Sequence, residues 1–227
     1  MGTRQANAIG GRLDAATGVL FVVLMTVALL LPGQPPKAED PVETITAVLV
    51  DRRGAFLVGG YLAGLATMAY LWFLGSVREY LHGRGGHGSA SAATAGGVFA
   101  ITAMLVGMLM FSGVAFVAAR LGEQAVVRAM TDIGNSVIEV SKFGFAVFVL
   151  GVLRAARGNG GLPRWLVRLG LVAVPALLVS AVALFVDRGP FQFGGVIDLG
   201  GSVPALLWIV GLSFVMMRAG PRTVAMP

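Results

Sequence analysis

The chain has 227 residues, of which 56% are hydrophobic and only 12% charged, and its mean hydropathy is +0.84. Soluble domains carry about 25% charged residues, so the composition argues against a water-soluble globule and for a bundle of membrane helices of about 20 residues each, with too little left over for a second soluble core. The net charge of +6 is spread over several short segments instead of one face with interleaved aromatics, which argues against a nucleic-acid partner, and the absence of cysteine excludes disulfides, thiolate metal sites and a cysteine nucleophile.

The first apolar run, Ala15–Leu31, follows Arg4 and Arg12 in the manner of a signal peptide. It ends in Leu31-Pro32-Gly33 with no small-x-small cleavage site and five more runs follow, so it is read as a retained first helix. The connection from Pro32 to Arg53 opens with a Pro-rich piece and continues with apolar residues at Val42, Ile45, Val48 and Leu49, the spacing of a short amphipathic helix lying on the outer surface. The second run, Ala55–Leu74, contains Gly60-x-x-x-Gly64, a pattern that lets two helix backbones approach.

The stretch from His82 to Gly97 reads as a flexible, low-complexity inner loop. Its formal G-x-G-x-x-G at Gly83, Gly85 and Gly88 lacks the flanking strand that dinucleotide binding requires. His82 and His87 read as solvated loop residues; no metal or other cofactor is expected, and intramembrane haem ligation has no histidines to use. The third run is Ala95–Ala118.

The fourth, Gly134–Leu153, is interrupted by Glu139 and Lys142. Asp132, Asn135, Glu139 and Lys142 are spaced three, four and three apart, so on a helix they form one stripe. A lone charge at a helix centre costs roughly 2.5–3.5 kcal/mol on insertion scales, whereas i,i+3 partners can neutralise each other. Such residues generally face a bundle interior or a water-filled cavity, which makes these four the candidate ligand- or ion-binding residues. The alternative is a helix that enters the membrane only near Phe143 and leaves the stripe at the wet interface.

The fifth and sixth runs, Trp165–Val186 and Gly200–Met217, carry Pro175 and Pro204 as candidate kinks. Tyr70, Trp72, Tyr80 and Trp165 fit an interfacial aromatic belt at the inner helix ends. The segments Val50–Gly60 and Val186–Gly195 echo each other, consistent with a parallel duplication of the first and last hairpins, a habit of transporters.

Placing the N-terminus inside puts ten of the 17 Lys and Arg in the segments around Arg4–Arg12, Arg78–Arg84, Arg154–Arg168 and Arg218–Arg222, against six outside. The positive-inside rule then puts both termini in the cytoplasm. No catalytic motif is present: neither H-E-x-x-H, nor a nucleophile elbow, nor a Ser, His and acid set that the topology could assemble. The chain is therefore expected not to be an enzyme.

The stretch RGAFLVGGYLAGLATMAYLWFLGSVREYL, the Asp132–Asn135 element, LPRWLVRLGLVA at Leu162–Ala173 and GPFQFGG before the last helix together resemble six-helix bacterial membrane proteins catalogued as a domain of unknown function. The resemblance implies a compact bundle in a bacterial plasma membrane and supplies no functional residues. The expectation is thus one all-α integral membrane domain of six spans. Its role would be that of a non-enzymatic accessory or interaction protein, contacting lipids and a membrane-protein partner or a second copy of itself. The alternative is a small-solute or ion transporter or channel using the stripe. A polar cavity near mid-depth containing Glu139 and Lys142 would favour transport, and a dry, filled core the accessory role.

Overall fold

The computed structural model describes residues 2–34, 36, 39–82, 87–118, 121–157, 161–186 and 188–219. The described residues form helices joined by turns, with no strand. Helix α1 is Gly2–Leu30, α2 is the short Val42–Asp51, α3 is Arg53–His82, and α4 is His87–Gly113, continued by a π-helical turn at Val114–Ala118. Helix α5 is Gln124–Arg157, α6 is Arg164–Ser180, tightening to 3-10 geometry over Ala181–Phe185, and α7 is Val196–Ala219. Six of these, all but α2, are long and apolar enough to cross a membrane. Hydrocarbon offers the backbone no hydrogen-bond partners, so each run must satisfy its own as a helix.

The six long helices close into a ring in chain order: each packs against its neighbour, and α1 packs against α7. On α1 the buried residues Ala15, Gly18, Phe21, Met25 and Ala28 recur every three or four positions and so share one face. Large apolar side chains such as Leu20, Val23, Tyr61 and Met68 remain exposed on the other faces. A helix apolar all round is what a lipid-facing bundle requires.

The most extensive contact is between α4 and α5, and glycines make it. A Cβ on Gly151 would lie 2.7 Å from the Ala93 backbone nitrogen, and one on Gly144 would lie 2.8 Å from the Gly96 carbonyl and from the Ala100 nitrogen. Farther along, Gly107 and Gly134 face each other in the same way. Lipid supplies no hydrophobic drive between helices, so such close backbone approach is a main source of association. This corrects the loop expected over His82–Gly97: α4 begins at His87, and Ala90, Ala93, Gly96 and Gly97 are a buried helical seam, their small size serving packing and not flexibility. Gly83 and Gly85 lie outside the described residues.

The Gly60-x-x-x-Gly64 pattern is used at one end only. Ser112 packs so closely on Gly60 that a Cβ would collide with its hydroxyl, which donates 2.9 Å to the Phe56 carbonyl. A Cβ on Gly64 would meet nothing within 4 Å, so the expected close approach there is absent. The two echoing segments differ in conformation. Gly54–Gly60 is continuous helix, whereas Arg188–Gly195 is a run of turns, with Gly189 and Gly194 at φ +79° and +73°, where only glycine is unstrained. Helix α2 forms as expected. Its Ile45 and Leu49 are fully buried against Phe56, Phe111 and Val127, so it caps this end of the bundle.

Tyr70 is corrected as well. It is fully buried and sits at the centre of an aromatic cluster with Phe21, Phe73, Phe145 and Phe148, at ring separations of 4.6 to 6.0 Å. Trp208 extends the cluster from α7 and donates 3.0 Å to the Leu166 carbonyl of α6. Trp72, Tyr80 and Trp165 stay at the periphery, Trp72 bonding Asp14 and Tyr80 the Gly161 carbonyl.

Candidate ligand site

Helix α5 is unbroken from Gln124, so the predicted stripe lies on one continuous helix. Its four members do not share one environment. Asp132 is half-exposed and pairs with Arg128 one turn earlier at 2.9 Å. Asn135, Glu139 and Lys142 turn inward and are buried, Glu139 at 1% and Lys142 at 5% exposure. Those two values place Glu139 and Lys142 inside the bundle and not on its outer surface.

Lys142 reaches two carboxylates. Its Nζ donates 2.6 Å to Glu139 Oε2, one helical turn away, and also to Asp198 Oδ1 from α7. The other oxygen of Asp198 accepts the Gly194 backbone N–H at 2.6 Å. Asp198 also lies in the first turn of α7, where the helix dipole favours an anion. The same carboxylate thus holds the cation from α5 and pins the glycine-rich turn before α7.

Sequence reasoning missed Asp198, which lies just before the apolar run that begins at Gly200. An available signal was the lone acid two residues before an uninterrupted apolar run, opposite an intramembrane lysine with one partner already. Of the predicted residues, the structure brings Glu139 and Lys142 together and adds Asp198. Asn135 stands beside them, and Asp132 stays at the rim.

Two cavities meet at this ion triad. One, about 410 Å³, occupies the middle of the ring in the half nearer α2 and touches all six long helices, through residues such as Met25, Gly60, Met108, Lys142, Leu177 and Asp198. Phe21 and Phe145, upper members of the aromatic cluster, form its floor. Its walls are apolar apart from Lys142, Asp198 and a few small polar groups. The other cavity, about 340 Å³, lies between α5 and the 3-10 end of α6, lined by Arg128, Asp132, Asn135, Ser136 and Glu139 with Ala183–Val186. Phe193 borders both. Glu139 faces the polar cavity and Lys142 with Asp198 the central one, so the triad is the partition between them. Toward the termini, the aromatic cluster packs inside the ring.

Two oxygens on the polar side have no hydrogen-bond partner among the described residues: Glu139 Oε1 and Asn135 Oδ1. Burying an acceptor without a donor costs about 1–3 kcal/mol, so these two atoms carry unmet hydrogen-bonding capacity. No group of His, Cys, Asp and Glu suited to a metal occurs among the described residues. His82 ends α3 with its Nδ1 2.8 Å from the Arg78 carbonyl, and the His87 side chain lies outside the described residues. No family model, curated protein or solved structure matches the chain.

Proposed function

We propose that this chain is a small-solute transporter of a bacterial plasma membrane, non-enzymatic, multi-pass, with both termini cytoplasmic and the α2 end outside. The bacterial setting follows from the resemblance described above, and the sidedness from the excess of Arg and Lys in the segments that share a side with the termini.

The observation that carries the reading is the Glu139–Lys142–Asp198 triad standing between two cavities. Three charges in a bundle are expensive, and replacing a buried ion pair by apolar side chains is often neutral or stabilising. A protein that acts only through its outer helix faces would have no use for them, nor for a ring left unfilled in one half. In a transporter both features have a place. Solute enters the polar cavity, the triad exchanges partners as the solute binds, and the central cavity receives it. The aromatic floor of Phe21 and Phe145, backed by Tyr70, blocks the way to the other side until the ring rearranges.

Native mass spectrometry of the tagged chain, released gently from its own membranes, tests this. A small molecule retained by the wild type and lost in the Glu139→Gln/Lys142→Met double variant is the expected result. A stoichiometric protein partner, with no retained solute and no response to the double variant, would return the protein to the accessory role.

A further inference from the structure

We propose that the polar cavity selects a small monovalent cation, an alkali-metal ion or a primary ammonium, held between Glu139 Oε1 and Asn135 Oδ1. This names the substrate class of the transporter reading and rests on it.

The charged groups facing the cavity and its partition are Arg128, Asp132, Glu139, Lys142 and Asp198, which with all five ionised sum to one net negative charge. Where that charge resides follows from the hydrogen bonds. Arg128 is engaged by the Asp132 carboxylate at 2.9 Å and the Asp40 carbonyl at 3.1 Å. Asp198 is satisfied on both oxygens, by Lys142 and by the Gly194 N–H. Lys142 is shared between two carboxylates, so it neutralises one of them in full and cannot neutralise both. Glu139 gives Lys142 only Oε2, leaving Oε1 buried without a donor.

One turn earlier, Asn135 is 7% exposed and its Oδ1 is equally without a donor. Both residues line the same cavity. Two acceptor oxygens one turn apart, buried in the wall of a recess whose ionised groups carry an excess negative charge, suit a cation that is coordinated by oxygen or donates N–H bonds to it once those side chains turn into the recess. An anion would meet acceptors where it needs donors. A calcium ion asks for more protein oxygen ligands than are offered here. The cavity's 340 Å³ has room for several waters, so a hydrated cation can enter it.

The test uses the full chain in lipid nanodiscs, with N-methylglucamine chloride as the background salt and two probes, radiosodium and radiolabelled methylammonium. Saturable binding of at least one is expected, and competition between them tells the alkali-metal ion from the ammonium. Glu139→Gln removes the excess charge, and Asn135→Leu removes an acceptor without altering charge. Each should weaken binding about tenfold, the value of one charge-assisted or coordinating contact. Should Glu139→Gln fail to fold, Asn135→Leu carries the test alone. Absence of saturable binding of either probe overturns the proposal, as does binding indifferent to the folded variants. If neither cation binds while a neutral or anionic solute is retained and then lost in the Glu139→Gln/Lys142→Met variant, the cation is refuted and the transporter reading stands. If no solute of any charge is retained, both fall.

Discussion

Lys142 and Glu139 are joined by one ion pair, yet their removal should have very unequal consequences. Lys142→Met leaves two buried carboxylates, Glu139 and Asp198, both at 4% exposure or less, without their shared cation. At an effective dielectric of about 20, unit charges 4 Å apart interact by about 4 kcal/mol. The variant loses two such attractions and keeps the repulsion between the carboxylates. Breaking a buried pair by deleting one partner costs about 3–5 kcal/mol, and this case belongs at the upper end. Glu139→Gln loses one attraction but relieves that repulsion, and Lys142 keeps Asp198, so its net cost should be about 1 kcal/mol. The assay is unfolding by SDS in mixed micelles, following fluorescence of the three tryptophans. Adding Glu139→Gln and Asp198→Asn to Lys142→Met should restore most of the lost stability, because no buried charge then remains unpaired. Equal destabilisation by Lys142→Met and Glu139→Gln, or no recovery in the triple variant, would refute the charge accounting on which the site rests.

Two further outcomes follow from the packing and from the cavities. Gly151→Ala drives a methyl group into the Ala93 backbone and should cost about 1–3 kcal/mol as α4 and α5 are forced apart. Gly64→Ala meets open space and should be neutral or gain up to about 1 kcal/mol in helix propensity; parallel thermal unfolding in detergent compares the two. Because the chain contains no cysteine, Ser136→Cys in the polar cavity is uniquely labelled. It should react in intact cells with a membrane-impermeant maleimide, while Ser213→Cys, at a fully buried position on α7, should not. Failure of Ser136→Cys to react from outside, with reaction after lysis, would reverse the proposed sidedness.

The spans were legible in the sequence because a membrane imposes a one-dimensional rule: a run long and apolar enough must be a helix, whatever it packs against. The stripe on α5 was legible for a similar reason, since helical periodicity places Asn135, Glu139 and Lys142 on one face before any neighbour is known. The amphipathic spacing of Val42, Ile45, Val48 and Leu49 likewise announced α2. What periodicity cannot supply is the partner across a helix interface. Asp198 lies 56 residues from Lys142, and only closure of the ring brings α7 beside α5. The small residues of Gly88–Gly97 read as a loop by composition; packing against Gly144 and Gly151 makes them a seam. Tyr70 has the amphipathic chemistry of an interface residue, and its place among four phenylalanines depends on which helices surround it. Local spacing and solvent thus determined the helices and their polar face. The ion triad and the two cavities required the tertiary arrangement, because a buried charge is defined by contacts between residues far apart in the chain.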